Sequence, residues 1–194
     1  YHARVSPQRE AVLYAGERIT YADLAARLRA LAALFAARGI GAGDVVALLM
    51  KNSAAYLDIA FAASYLGAVF LPINYRLSRE EVAYIVADSG AKLLCVDEEL
   101  AASAGGTDAV LVFDEAAQRD PRVLGRGSPP PPVPRGPQDL MRLMYTSGTT
   151  AHPKGVTHSY GNFYWKNMDH ALALGLSPHS RCNVVGPLYH VGGM

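Results

Sequence analysis

Short apolar runs that alternate with helical segments constrain this chain more than any other feature of its sequence. Residues 45–50 form one such run, in which no polar residue interrupts the apolar ones. A strand of this composition is buried on both faces, as the strands of parallel sheets are. Further runs follow at 68–73, 92–96 and 110–113. Because helical segments separate the first three runs, the pattern predicts an α/β fold in which helices wrap a parallel sheet.

The predicted helices carry start and stop signals at both ends. A hydroxyl side chain at the start can accept a hydrogen bond from the first turn, and a glycine at the end can adopt the left-handed conformation. The predicted starts are Thr20, Ser53 and Ser78, and the predicted stops are Gly39, Gly67 and Gly90. Ser78 and Glu81 have the spacing of a capping box, and Asp23 stands in the first turn after Thr20.

A proline-rich segment at about 121–138 interrupts this alternation. Six prolines lie between Ser128 and Pro137, and the segment has no core-facing pattern. It is therefore predicted to be an extended surface excursion. A linker between two domains is the alternative, but a predicted strand at 140–145 resumes the sheet and favours an excursion within one fold.

Composition and charge exclude several classes of protein. The chain has 194 residues, of which 51% are hydrophobic and 18% charged, so it can bury a core and is not intrinsically disordered. The formal net charge is +1, which gives no field for binding nucleic acid or an anionic membrane. The two cysteines lack the spacing of a zinc site, and neither a signal peptide nor a membrane-spanning run is recognisable. We expect a cytoplasmic protein.

The segment 146–155 carries the strongest chemical signal. Its sequence, TSGTTAHPKG, packs four hydroxyl side chains, two glycines and a lysine into ten positions. Backbone N–H groups and hydroxyls can bind phosphate oxygens, and the lysine supplies a full positive charge. The loop is predicted to join the strand at 140–145 to a helix that Ser159 opens and that continues to about Leu174. Pro153 and Gly155 depart from the usual nucleotide-triphosphate loop, and on the residues alone a simple turn is an equal alternative.

A resemblance extends this interpretation. Residues 145–156, YTSGTTAHPKGV, resemble the phosphate-loop signature T-S-G-T-T-G-x-P-K-G of the adenylate-forming superfamily, which includes acyl-CoA synthetases and the adenylation domains of peptide synthetases. Eight of the nine fixed letters are present, and Ala151 stands where glycine is usual. Residues 71–97 and 187–193 resemble two further acyl-CoA synthetase segments. The second of these, PLYHVGG, favours CoA synthetases over peptide-synthetase domains.

The resemblance implies a reaction, substrates and site residues. It implies that a carboxylic acid, expected to be a fatty acid, is activated with ATP as an acyl-adenylate and transferred to CoA, with Mg²⁺ as cofactor. Thr146 is also implied as a magnesium ligand, and His190 as a residue that contacts the acid substrate. The implied ATP-binding residues are Thr146, Ser147, Gly148, Thr149, Thr150, Ala151, His152, Pro153 and Lys154.

The resemblance also implies that residues 1–194 are the N-terminal portion of the AMP-binding domain, in truncated form. The ribose-binding aspartate, a second magnesium-binding carboxylate and the C-terminal domain with its lysine have no match here, so we expect the fragment alone to be inactive. An adenylation domain that feeds a carrier protein and a non-catalytic nucleotide-binding module are the alternatives. Homo-oligomer formation and the length of the acid are left open.

Other polar and aromatic residues are interpreted without a catalytic role. His152 and His158 flank the loop, and both are predicted to be solvated surface residues. Glu98 and Glu99 are predicted to be a solvated pair. The aromatic residues of the helix after Ser159 are explained at least as well by packing as by ligand binding; they are Tyr160, Phe163, Tyr164 and Trp165.

Overall fold

The structure is a computed structural model that describes residues 1–114, 127–146 and 152–190. Its helices are α1 (His2–Val5), α2 (Tyr21–Ala37), α3 (Ala54–Tyr65), α4 (Arg79–Asp88) and α5 (Tyr160–Ala173), with a 3₁₀ helix at Glu98–Ser103. Its strands are β1 (Glu10–Tyr14), β2 (Glu17–Thr20), β3 (Val45–Leu49), β4 (Val69–Pro72), β5 (Ala91–Asp97), β6 (Val110–Phe113), β7 (Leu140–Thr146) and β8 (Lys154–Ser159).

Six of these strands form one sheet in the order β6-β5-β3-β4-β7-β8. All neighbouring pairs are parallel except β7 and β8, which run antiparallel. The predicted α/β fold with a parallel sheet is therefore confirmed for five strands, and an antiparallel strand is added at one edge. A separate antiparallel hairpin, β1–β2, was not predicted.

Helices cover both faces of the sheet at its centre, which explains why β3 and β4 are apolar throughout. One core places Val46 and Leu48 of β3 against α2 and α3, where Phe35 and Ile59 are completely buried. The other core places the intervening residues of β3 against α4. Successive residues of a strand point to opposite faces, so a strand between two helical layers needs apolar residues at every position.

The predicted helix starts are confirmed by their side-chain hydrogen bonds. Thr20 and Asp23 form a reciprocal capping box at α2, and Ser78 and Glu81 form another at α4. At α3 the Ser53 side chain accepts a hydrogen bond from the Tyr56 backbone N–H, at 3.1 Å. None of the described helices combines the length with the apolar composition that crossing a membrane would require.

The described part of the proline-rich segment, residues 127–138, forms neither helix nor strand and packs against the end of α3. The Val133 N–H donates to the Tyr65 carbonyl oxygen at 3.0 Å. Gly67 has a φ of +70°, and a Cβ there would lie 3.1 Å from a Val133 side-chain carbon. This packing favours a surface excursion over a free linker. Residues 121–126 lie outside the described part of the chain.

Candidate functional site

The phosphate-type loop connects two antiparallel strands, and the prediction that it leads directly into a helix is wrong. Residues Lys154–Ser159 form β8, and Thr146 lies opposite Lys154 in the β7–β8 pairing. Ser159 caps α5, as predicted, but the unpredicted strand β8 lies between the loop and this cap. The strand β8, which ends at the cap Ser159, pairs with β7, and this pairing supplies backbone hydrogen bonds without a helix. The N-terminus of α5 is therefore not the end of the loop.

The structure places four of the nine predicted loop residues. Thr146 ends β7 with its side chain exposed, Lys154 begins β8 and is also exposed, and Pro153 is half-buried. His152 is exposed, as predicted, and its ring stacks on Tyr84 of α4 with 4.8 Å between the ring centroids. The other five lie outside the described residues: Ser147, Gly148, Thr149, Thr150 and Ala151.

A cavity of about 520 Å³ lies where β4 and β7 end. Carboxyl ends of parallel strands meet at one edge of a sheet, which is where ligands of α/β proteins bind. The cavity brings Thr146 and Pro153 of the loop together with His190, which follows 36 residues after Lys154. Its lining residues are Pro72, Ile73, Asn74, Leu77, Glu81, Ile85, Met144, Tyr145, Thr146, Pro153, Val156, His158, Tyr189 and His190.

His190 reaches this cavity at the end of a short turn. Its backbone N–H donates to the Pro187 carbonyl oxygen at 3.0 Å, and its side chain is exposed. The two residues before it fix the turn, because Leu188 is buried in the core on the α2–α3 face and Tyr189 packs edge-on against Tyr75. The histidine is thus presented to the cavity on an anchored segment.

Two ionisable groups of the cavity wall are committed to structural contacts. The Tyr145 hydroxyl donates to the Asp88 carboxylate at 2.5 Å, and both burial and that carboxylate raise the pKa of Tyr145. Glu81 accepts a hydrogen bond from the Ser78 N–H at 2.8 Å, at the start of α4. The Tyr145 hydroxyl therefore stays protonated beside the cavity, and the Glu81 carboxylate stabilises the first turn of α4.

His158 differs from its prediction as a solvated surface residue. Its side chain is half-buried, lines the cavity and lies opposite Arg142 in the β7–β8 pairing. Burial lowers the pKa of His158, and the positive charges of Arg142 and Lys166 lower it further. Sequence reasoning missed this position because β8 was not predicted, so its buried face could not be assigned.

Thr146 is the one residue predicted to bind magnesium, so whether the site can hold Mg²⁺ depends on its hydroxyl oxygen. Among residues 1–114, 127–146 and 152–190, no group of three or more His, Cys, Asp or Glu side chains is placed to hold a metal ion. Mg²⁺ is commonly held by one or two protein oxygens together with substrate phosphates and water. The exposed Thr146 hydroxyl at the rim of the cavity supplies a hard oxygen of that kind, so the residues present fit a phosphate-bound ion.

Asn74 and Tyr189 also line the cavity, although neither was predicted as a site residue. Asn74 follows the end of β4, and Tyr189 precedes His190. A polar residue directly after a buried parallel strand is a signal that could have found Asn74, because such positions lie at the ligand-binding edge. Tyr189 carries no comparable signal outside its motif.

Comparisons with known proteins find matches over almost the whole of this chain. A family model described as AMP-binding enzyme matches residues 1–194. Feruloyl-CoA synthase of an Amycolatopsis species is 38% identical over 99% of this chain, which spans 38% of that protein. A long-chain-fatty-acid–CoA ligase of Mycobacterium tuberculosis is 34% identical over 99% of this chain, which spans 40% of its length.

A solved structure shares the fold as well. The O-succinylbenzoate CoA synthetase of Bacillus subtilis, in complex with ATP and magnesium ion, superposes with a TM-score of 0.85 and 27% identity. That match covers 99% of this chain and 51% of the solved chain. The resemblance identified from the phosphate-loop signature is thereby confirmed at the level of the family, over the whole of the sequence. This chain belongs to the family of AMP-binding enzymes.

Proposed function

We propose that the protein containing this chain activates a carboxylic acid with ATP and transfers the acyl group to CoA. The chain spans about two fifths of the curated relatives it matches, so the proposal concerns the whole protein. Within it, residues 1–194 are the N-terminal portion of the AMP-binding domain. The cavity carries the proposal, because it brings Thr146 and Pro153 of the phosphate-type loop together with His190 at one edge of the sheet.

The loop supplies the groups that the triphosphate needs. We assign ATP binding to residues 146–154, with the Lys154 ammonium beside the phosphates and the Thr146 hydroxyl as a ligand of phosphate-bound Mg²⁺. Thr146 and Lys154 are paired across the hairpin, and Thr146 and Pro153, the neighbour of Lys154, line the cavity. When bound, Mg²⁺ neutralises negative charge on the leaving pyrophosphate.

The apolar part of the cavity supports an acid with an apolar body. Ile73, Leu77 and Ile85 line it from β4 and α4, and Met144 and Val156 line it from the hairpin. Removing apolar surface from water contributes roughly 25 cal/mol per Å² to binding. A fatty acid fits this lining, and the named substrates of the relatives range from ferulate to long-chain fatty acids. His190 contacts the carboxylate end.

The chemistry consists of two displacements. An oxygen of the substrate carboxylate attacks the α-phosphorus of ATP, the bond to the β-phosphate oxygen breaks, and pyrophosphate leaves. The thiol sulfur of CoA then attacks the acyl carbon, the thiol proton is released, and AMP leaves with the electron pair of the broken C–O bond. Positive charge and hydrogen-bond donors placed around the departing pyrophosphate lower the barrier of the first displacement. We assign these donors to the loop, whose described ends, Thr146 and Lys154, are paired across the hairpin.

Acid-dependent exchange of labelled pyrophosphate into ATP, measured on the complete protein, tests this proposal. The panel contains fatty acids of several lengths, ferulate, 2-succinylbenzoate and an amino acid. We expect exchange with at least one fatty acid and none with the amino acid. ATP binding without exchange for any acid would instead indicate a non-catalytic nucleotide-binding module.

The acceptor is tested separately. We expect the preferred acid to form a thioester with free CoA, whereas an adenylation domain that feeds a carrier protein would transfer only to a phosphopantetheine-bearing carrier. We also expect residues 1–194 alone to form no acyl-CoA, because catalysis by groups acting together collapses when several are absent. Product formation by the isolated 194 residues would contradict the proposed division of the protein.

A further inference from the structure

The side chain of Asn52 bridges the end of β3 to the segment that carries His190. Its Nδ2 donates to the Gly186 carbonyl oxygen at 2.9 Å, and its Oδ1 accepts from the Leu188 N–H at 2.8 Å. These contacts span 134 and 136 residues of sequence. One amide therefore holds both sides of Pro187, at the start of the turn that ends at His190.

The backbone on either side of Asn52 is itself fixed. The Lys51 N–H donates to the Asp97 carboxylate at 2.7 Å, which ties this position to the end of β5. On the other side Ser53 caps α3 through the Tyr56 N–H. The Asn52 side chain therefore extends from an anchored connection between β3 and α3. Its hydrogen bonds fix residues 186–188 relative to the sheet.

The segment needs this anchor because it has little regular structure. Residues 177–190 contain neither helix nor strand, and most of residues 177–185 are exposed, with Val185 88% exposed. A chain of this kind has no strand ladder or helical hydrogen bonds to fix its path. Apart from the Asn52 amide, the burial of Leu188 and the edge contact of Tyr189 with Tyr75 hold the turn.

The residue type also matters. A primary amide offers a donor and an acceptor on one planar group, and the two bonds to residues 186 and 188 use one of each. Aspartate at this position could accept from Leu188 but would place a carboxylate against the Gly186 carbonyl oxygen. Serine is too short to reach both groups. The asparagine side chain satisfies both backbone groups with a single amide.

We propose that Asn52 is a positioning residue that sets the placement of His190 in the cavity. Its side-chain hydrogen bonds are made to residues 186 and 188, and it acts through the turn at Pro187. This inference rests on the proposed function in one respect, because His190 is taken there as the residue that contacts the carboxylate. The clamp itself rests only on the two hydrogen bonds.

Hydrogen–deuterium exchange on the complete protein tests the clamp without any need for activity. In Asn52→Ala we expect amide exchange in residues 186–190 to accelerate about tenfold, the order expected for the loss of one hydrogen bond, with a smaller change in Asn52→Asp, which keeps one bond. Asn183→Ala is the matched control, since Asn183 is an exposed asparagine in the same irregular segment, and it should leave the exchange unchanged. Unaltered exchange in Asn52→Ala would overturn the clamp.

Steady-state kinetics then test whether Asn52 acts by positioning His190. Misplacing a reacting group by about 1 Å can cost on the order of 10² in rate, so we expect Asn52→Ala to lower kcat/KM for the acid about 10–100-fold. The KM for ATP should change little, and Asn52→Ala should still unfold in a single cooperative transition, which guards against general misfolding.

A double-mutant cycle decides between positioning and a general structural role. In a His190→Ala background, Asn52→Ala should change kcat/KM less than about threefold, since the residue through which it acts is already gone. An equal loss in both backgrounds would overturn the proposal. If the wild-type protein shows no pyrophosphate exchange with any acid, the proposed function fails, while the deuterium-exchange result still decides whether the clamp exists.

Discussion

Arg142 of β7 lies opposite His158 of β8, and both carry buried nitrogens that form no hydrogen bond within the described part of the chain. Arg142 is only 1% exposed, and its guanidinium carbon lies 4.5 Å from the centroid of the Phe163 ring. The buried hydroxyl of Tyr56 likewise forms no hydrogen bond in that part. Within the described part of the chain, the positive charge of the buried Arg142 side chain is therefore stabilised mainly by its contact with the Phe163 ring.

Replacing this arginine is expected to stabilise the protein. Burying a cation costs several kcal/mol, whereas a desolvated cation–π contact contributes about 2 kcal/mol. We therefore expect Arg142→Met to raise the free energy of unfolding by about 1–3 kcal/mol in urea titrations. Arg29→Met replaces an exposed arginine of α2 and should stay within about 0.5 kcal/mol of the wild type. Lower stability in Arg142→Met would show that the Phe163 contact outweighs the cost of burial.

The pairing with Arg142 also predicts a pH dependence. The pKa of His158 is lowered by burial and by its cationic neighbours, so below about pH 6.5 the unfolded chain binds a proton that the folded chain resists. The contribution of neutral His158 to the free energy of unfolding is fully present above the pKa that His158 has in the unfolded chain. It is lost as the pH falls through the lower pKa that His158 has in the folded chain. His158→Gln should remove it and flatten the curve of stability against pH.

The matched control for this prediction is His179→Gln, which replaces an exposed histidine. It should leave the slope between about pH 6.5 and 5 as in the wild type. Parallel curves for His158→Gln and the wild type over that interval would contradict the prediction, because His158 would then titrate alike in the folded and unfolded chains.

Local signals explain why most of the fold could be predicted. The capping boxes at Thr20 and Ser78 involve side chains three residues apart, and the apolar runs of the parallel strands reflect burial on both faces. β8 escaped prediction because most of its residues are exposed and its hydrogen bonds are made with β7, across the loop. The β1–β2 hairpin escaped for a similar reason, since its strands are short and largely half-buried or exposed.

The candidate site was predictable as separate pieces rather than as an arrangement. The loop and the His190 motif could be found from their residues, but their meeting at one cavity depends on the strand order of the sheet. Asn52 could not be found at all, because its partners lie more than 130 residues away and are backbone groups. Backbone partners leave no residue pattern in a sequence.

The ion pairs of Arg27 provide a test of how burial sets the strength of charge interactions. Arg27 Nε lies 3.2 Å from the Asp58 carboxylate, whose side chain is 1% exposed, and Nη1 lies 2.8 Å from Glu17, whose side chain is 54% exposed. Removing the cation leaves a buried carboxylate without this partner, which typically costs 3–5 kcal/mol, whereas an exposed pair contributes less than about 1 kcal/mol.

We therefore expect Arg27→Met to lower the free energy of unfolding by about 3 kcal/mol and Glu17→Gln by less than about 1 kcal/mol. The two variants remove interactions of the same guanidinium, so the difference isolates the effect of burial at Asp58. Urea titrations at neutral pH measure both. Equal losses would indicate that Asp58 draws its stabilisation from groups other than Arg27.

Lys154 is the residue of the described loop with which the proposed adenylation step can be tested most directly. Its ammonium sits at the start of β8, opposite Thr146, at the edge where the parallel strands end. Losing one well-placed donor at developing charge costs about 10²–10³ in rate, so Lys154→Ala should slow acid-dependent pyrophosphate release by that factor.

Lys92→Ala is the matched control, since Lys92 is an exposed lysine near the start of β5, at the opposite edge of the sheet, and pairs with Asp44. Because the lysine acts on charge that develops in the transition state, the loss should fall on kcat, with the KM for the acid little changed. Unchanged pyrophosphate release in Lys154→Ala would remove the loop from the adenylation step, whatever acid the protein activates.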